Sequence, residues 1–429
     1  MVRDTSVSVR RRVRTGLCSA ALFGVALSLV GCDQQDKPPA PPRPAGPPPL
    51  APEMRLHPVT FDALPGWGGD RPSAALPALR WSCEAFGKRT DTDAWVGPGA
   101  YGGTVADWQR LCAGLNRLLP PGQESGQEET VLRSWLRETF QPYAVGMVEA
   151  DGQAKYEGTF TGYYEATLKG SLTRQPGYQV PLYGPPADLI TVDMGALFSD
   201  MAGVKVVGRL TEKTIEPYWT RAQIDGGALA ASGAPVVAWA ADAVDAHILH
   251  IQGSGVLELP DGGAVQVGYA GNNGHKFVGI GRTMLDRGLV GSGQASMPAI
   301  RDWLKTHPDQ APEVLASNPR YIFFRQLQGP GPLGALDVPL TPGRSLAVDP
   351  RYVPLGVPLW LSSVDPDMLP LARLMVAQDV GSAIKGVVRG DFFWGSGESA
   401  LEKAGRMKSP GSYYLLLPRD RKEAPPARP

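Results

Sequence analysis

The stretch from Leu371 to Pro418 divides its apolar residues into short runs separated by glycine, and few folds accept that pattern. It reads LARLMVAQDVGSAIKGVVRGDFFWGSGESALEKAGRMKSPGSYYLLLP. Leu374 to Ala377 has the length of a buried strand rather than a helix, and it runs on to Asp379. Gly381 and Gly386 mark a turn, Val387 and Val388 lead to Asp391, and Phe392, Phe393 and Trp394 follow. Glu398 to Ala404 predicts a short helix, and Tyr413 to Leu417 a last strand. Asp379 and Asp391 therefore leave strand ends beside glycines, where another backbone or a ligand can come close. The neighbouring aromatic faces suit sugar rings. An aspartate against apolar walls has its pKa raised and can act as a general acid near neutral pH. Aspartates at strand ends also cap turns, and spacing alone leaves both readings open.

The same texture extends along the chain. There are 52 glycines and 42 prolines in 429 residues, and long helical periodicity is scarce, so many short strands and turns are expected. The length allows two domains with real cores. Helical spacing appears at Leu76 to Phe86, Val105 to Leu119 and Thr130 to Phe140, all of which read as core. Tyr156 to Ala166 alternates like a strand. Further strands are expected at Tyr178 to Tyr183, Val236 to Ala240, His247 to Gln252, Gly255 to Leu259 and Ala264 to Tyr269. A turn is expected at Asp261 to Gly263; near Gly253 the polar neighbours Gln252 and Ser254 and exposed backbone could meet a ligand, and an expected tight hairpin is the alternative. Shorter helices are expected at Arg221 to Gly226, Phe277 to Arg287 and Met297 to His307.

Several chemistries have no support. Formal net charge is zero, so nothing points to nucleic acid. The five histidines are scattered, and His247 and His250, three apart in a β-like run, would face opposite sides, so no metal site is expected. There is no G-x-S-x-G elbow and no phosphate-binding loop, and Gly279-Ile280-Gly281 lacks the third glycine of a dinucleotide site. No cofactor is expected.

The N-terminus carries an address. Arg10, Arg11, Arg12 and Arg14 precede an apolar run from Gly16 to Val30, too short to read as a spanning helix. The run ends Leu29-Val30-Gly31-Cys32, which resembles the bacterial lipoprotein signal; an ordinary secretory signal with an incidental cysteine is the alternative. That resemblance implies removal of residues 1–31 and acylation of Cys32, an anchor facing an oxidising compartment. Residues 32–52 are proline-rich and would form an extended tether reaching roughly 60 Å, at about 3.1 Å per residue. Cys83 and Cys112 remain as a pair for a disulfide, with two free buried thiols as the alternative.

A long pattern gives these pieces a common meaning. Asp379, Gly381, Ala383, Ile384, Lys385, Gly386, Arg389, Asp391, Phe393, Gly395, Gly397, Ala400, Gly405, Met407 and Gly411 match the end of the membrane-bound lytic murein transglycosylase A family. Asp349 in GRSLAVDPRYVPLG completes that module's three aspartates. Phe160, Gly162, Tyr163, Tyr164 and Glu165 match a second signature, and HIQGSG from His250 a third. The resemblance covers roughly Phe61 to Pro418.

It implies a mainly β protein with a few helices: a double-psi β-barrel from 53–165 and 327–418 and a second β-rich domain inserted at 166–326. The charged tail at 419–429 is expected to be disordered on its composition. Peptidoglycan glycan strands would lie between the two domains. The implied reaction cleaves the β-1,4 bond from MurNAc to GlcNAc without water and leaves a 1,6-anhydro-MurNAc end. Asp391 matches the single catalytic residue, with Asp379 and Asp349 orienting it or holding its pKa up. Thr161, Tyr163, Tyr164, Gln252, Gly253 and Ser254 would meet the sugar chain. The expected location is the periplasmic face of the outer membrane, though Asp33 after Cys32 favours inner-membrane retention under the enterobacterial sorting rule. Partners in wall synthesis or division are left unspecified. Two other readings stay open: a hydrolase of similar barrel using Asp379 or Asp349 as base, and a wall-binding lipoprotein without catalysis.

Overall fold

The computed structural model describes residues 53–420, apart from 99–100, 124–125, 199–200, 202–203 and 330. The signal, Cys32, the tether and residues 421–429 lie outside the described residues. The described tail residue Arg419 is held, with its amide on the Thr139 carbonyl and its guanidinium on Gln141.

The folded chain opens with β1 (Met54–Pro58), α1 (Leu76–Gly87), α2 (Val105–Leu118) and α3 (Glu128–Thr139). The strands β2 (Phe140–Val148), β3 (Ala154–Lys155) and β4 (Gly158–Ser171) follow. The middle of the chain holds β5 (Val180–Tyr183), β6 (Leu189–Asp193), β7 (Lys205–Leu210), β8 (Ile215–Glu216), α4 (Arg221–Asp225), α5 (Ala228–Ser232) and β9 (Val236–Ala240). It continues through α6 (Ala243–Gln252), β10 (Ser254–Glu258), β11 (Ala264–Asn272), α7 (Ile280–Asp286), α8 (Met297–Thr306), α9 (Ala311–Ala316) and β12 (Ile322–Gln326). The last part is β13 (Ser345–Val348), β14 (Pro358–Val364), β15 (Pro370–Val380), β16 (Arg389–Ser396), α10 (Glu398–Arg406) and β17 (Lys408–Pro418). The architecture is mainly β.

Six strands pair in a circuit that returns to its start. β17 pairs with β14, β14 with β15, β15 with β13, β13 with β16, β16 with β4, and β4 with β17. The pairings β13–β15 and β16–β4 are parallel, the first spanning the crossover through β14 and the second joining opposite ends of the folded chain. Trp360, Phe392, Leu374 and Leu415 are fully buried in the core that this circuit shares with α1 to α3. Cys83 and Cys112 are bridged with Cα atoms 5.3 Å apart, which ties α1 to α2. A second core gathers Tyr164, Leu168, Leu249, Leu257, Met284, Leu304 and Phe324, and it takes Ala400 and Ala404 from α10. β4 serves both, because its later residues pair with β10 and β9.

The segment expected as a strand at His247 to Gln252 is the last part of helix α6. Asp242 caps its start by accepting from the Asp245 amide at 2.8 Å. Gly253, at φ +85°, ends it in the left-handed conformation, so the expected hairpin is a helix-to-strand turn. Val244, Ala246, His247, Ile248, Leu249 and His250 are all buried, so no polar face was present to reveal the helical period. His247 and His250 are therefore neighbours on one helix face rather than on opposite sides of a strand. His250 Nδ1 accepts the Ile322 amide at 3.2 Å.

Candidate active site

One row of residues crosses four strands. Thr161 of β4 is the register partner of Asp391 in β16, Asp391 faces Ala347 of β13, and Ala347 faces Asp379 of β15. Two strand spacings therefore separate the two aspartates, roughly 10 Å between Cα atoms. A β-bulge at Leu346 and Ala347 sets the β15 register, and such bulges re-aim side chains. The residue between the carboxylates is an alanine, which leaves the space on either side to them.

Asp391 is mostly buried, and burial raises its pKa against the opposing pull of Thr161 and Arg389. Its Oδ1 accepts from the Thr161 hydroxyl at 2.5 Å. Thr161 Oγ1 in turn accepts from Arg389 Nη2 at 2.8 Å. Asp379 is pushed up to about 6, first by burial and also by the charge of Asp391. Its Oδ1 accepts the Val380 amide at 2.9 Å. The Tyr163 hydroxyl lies close enough to Asp379 and Asp391 to feel both charges, yet it makes no well-formed hydrogen bond. Its ring packs on Phe393 at 5.1 Å between centroids.

Trp394 lies over Gly162. A Cβ at that glycine would stand 2.6 Å from Trp394 Nε1, so only glycine admits the indole there. Lys403 sits over the same ring at 5.1 Å.

Asp349 is fully buried and follows β13 by one residue. Its carboxylate accepts from Arg351 Nη2 at 2.6 Å and from the Gly386 amide at 2.8 Å. Burial opposes ionisation there, but Arg351 and Gly386 overcome it and hold the carboxyl below the ordinary range. Asp349 thus ties the loop after β13 to the glycine turn that leads into Asp391.

The predicted sugar-binding residues fall into two settings. Thr161 and Tyr163 are at the carboxylates. Tyr164 is buried in the second core, and its amide donates to Gln252 Oε1 at 3.1 Å. Gln252 is the last residue of α6, Gly253 its cap, and Ser254 the first residue of β10, which runs parallel to β4. Arg389 was matched in the sequence but given no role. The available signal was its position two before Asp391, which puts both side chains on one strand face.

Comparison with known proteins agrees on one family. A model described as the MltA specific insert domain matches residues 159–325, and one described as the 3D domain matches 344–417. Membrane-bound lytic murein transglycosylase A of Escherichia coli K12 is 32% identical over 299 residues, covering 66% of this chain and 74% of that protein. The crystal structure of MltA from Neisseria gonorrhoeae in its monoclinic form is 35% identical with a TM-score of 0.70, covering 91% of this chain and 100% of that one. The crystal structure of E. coli MltA with bound chitohexaose is 26% identical with a TM-score of 0.57, covering 87% and 95%.

Proposed function

The chain belongs to the membrane-bound lytic murein transglycosylase A family, and from that premise we propose that Asp391 alone carries both proton transfers of peptidoglycan cleavage. The protein is a peptidoglycan lytic transglycosylase. Protonated Asp391 gives its proton to the glycosidic oxygen between MurNAc and GlcNAc, and the C1–O bond breaks. The MurNAc 6-hydroxyl oxygen then attacks C1, and its proton returns to the Asp391 carboxylate. The products are a free GlcNAc 4-hydroxyl and a 1,6-anhydro-MurNAc end, with the acid regenerated and no water consumed. The observation that carries this reading is a carboxyl kept proton-ready by burial, in a fixed pose against Thr161.

Glycan strands are taken as lying along β4, and the chitohexaose bound to the E. coli relative supports a sugar chain as ligand. Tyr163, Gln252, Gly253 and Ser254 stay the proposed wall of that groove, with Tyr164 behind it in the second core. Asp379 is proposed to tune Asp391, and Asp349 to brace the loop before it. The six-strand circuit supports reading 53–165 and 327–418 as a double-psi β-barrel with 166–326 inserted. Acylation at Cys32 is proposed as the anchor, in keeping with relatives named membrane-bound. No helix among the described residues is long and apolar enough to cross a membrane. The outer membrane is the proposed location.

Digestion of sacculi in ¹⁸O-water tests the chemistry. Wild-type product should be unlabelled anhydro ends, and Asp391→Asn should lower turnover by at least about 10²-fold with strand binding kept. Label at the new MurNAc terminus would instead point to a hydrolase with Asp379 as base, and near-normal rates in Asp391→Asn would remove Asp391 from the chemistry.

A further inference from the structure

We propose that Arg389 and Thr161 form a positioning pair that assigns the reacting proton to Oδ2 of Asp391. The inference rests on Asp391 being the acid and base. A guanidinium has donors only. Arg389 donates to Thr161 Oγ1 at 2.8 Å, to the Thr159 carbonyl at 3.2 Å, and to the Gly390 carbonyl. Those three acceptors, in β4 and β16, fix the plane of the group. Among the described residues it forms no ion pair within 4.0 Å of a carboxylate.

The direction of one hydrogen follows. Arg389 occupies a lone pair of Thr161 Oγ1, so the hydroxyl must turn its own hydrogen elsewhere. Asp391 Oδ1 accepts it at 2.5 Å. When Asp391 is ionised this bond is charge-assisted and strong. When Asp391 is neutral, a proton on Oδ1 would point at the threonine hydrogen and force the hydroxyl round. A proton on Oδ2 leaves the bond untouched. The acid therefore carries its proton on Oδ2, donates it from there, and recovers the 6-hydroxyl proton on the same atom. No rotation of the carboxyl is needed between the two half-steps.

A plain brace between strands does not account for the pair. Thr161 and Asp391 already sit in register in the parallel β4–β16 ladder, so the backbone holds the strands together. What the side chains add is orientation and charge. Arg389 and Thr161 favour the carboxylate, against burial, which favours the acid. Removing either should make Asp391 hold its proton more tightly.

The test uses purified protein on soluble glycan strands, with kcat and KM measured across pH and the products checked for anhydro ends. Thr161→Val should lower kcat about 10- to 100-fold, the size of one lost hydrogen bond to a charged group, with KM little changed. Its basic limb should move to higher pH. Thr161→Ser keeps the hydroxyl and should stay within about threefold of wild type. Arg389→Met should shift the limb the same way, and the double variant should be little worse than either single one. Wild-type limbs in Thr161→Val and Arg389→Met, or losses confined to KM, would overturn the pairing. If Thr161→Val does not fold, impaired kcat and a displaced limb in Thr161→Ser would overturn it equally. The wild-type product and Asp391→Asn are read in the same series, so failure of the acid/base assignment is seen separately.

Discussion

Replacing Asp379 with asparagine should stabilise the protein at neutral pH and not at acidic pH. The carboxyl moves from an ordinary value of 3.8 to about 6 in the fold. The native state thus binds the proton more tightly than the unfolded chain, so ionisation favours unfolding. The penalty is absent below about pH 3.8, grows between there and about pH 6, and is complete above it. At about 1.36 kcal/mol per pH unit it amounts to about 3 kcal/mol at pH 7.5, and to about half a kcal/mol at pH 4. Asparagine keeps the Oδ1 that accepts the Val380 amide, so the local turn survives. The measurement is thermal unfolding of Asp379→Asn and wild type at both pH values. A rise of about 4 °C at pH 7.5, nearly absent at pH 4, is expected for a chain of this size. Equal differences at the two pH values, or destabilisation at pH 7.5, would refute the reasoning. Coupling between titrating groups is reciprocal, so the variant's basic limb of activity should also move to lower pH.

Two further predictions concern the second core. Burial holds His247 and His250 neutral, well below the ordinary histidine value of 6.5, so the unfolded chain gains protons first and stability should fall as pH drops below about 6.5. Unfolding midpoints from pH 7.5 to 5 in the Asp379→Asn background remove that carboxyl's opposite slope, and His250→Gln, which can still accept the Ile322 amide, should flatten the fall; an unchanged slope on adding His250→Gln would refute it. Gln252→Ala strands the Tyr164 amide in a buried setting and should cost about 1–3 kcal/mol of stability while anhydro product is still formed. Unchanged unfolding would refute the part Gln252 plays in satisfying the Tyr164 amide.

What the sequence made legible follows from which forces are local. Helices α1 to α3 are written in their own apolar spacing, and α2 begins at a reciprocal cap between Thr104 and Asp107. Strands β15 and β17 are marked by the short apolar runs 374–377 and 413–417, although pairing extends each strand to 11 residues. Helix α6 was hidden because tertiary burial surrounds it, so its residues carry neither a period of 3.6 nor a true alternation. The strand circuit was hidden for another reason. Its closure depends on pairs such as Thr161 with Asp391, 230 positions apart, and no local window contains both.

The site divides along the same line. Residue type and glycine setting singled out Asp379 and Asp391, but a spacing of twelve does not say that Ala347 comes between them. Asp349 has the same residue type and a different fate, because Arg351 two positions on supplies its counter-charge. Among the described residues Asp391 is in no ion pair; Arg389 reaches it through a threonine. On the proposed mechanism, the difference between the structural and the reactive aspartate is therefore the directness of compensation. A carboxylate bonded straight to guanidinium and amide stays ionised and holds loops together. One bonded through a hydroxyl, beside a second carboxyl near 6, is raised by burial and ionises less readily, as the proposed acid requires. Burial only partly offset likewise makes Asp379 destabilising at neutral pH, and the proposed mechanism would draw on that cost, because a carboxyl fully paired with cations would hold no proton to transfer.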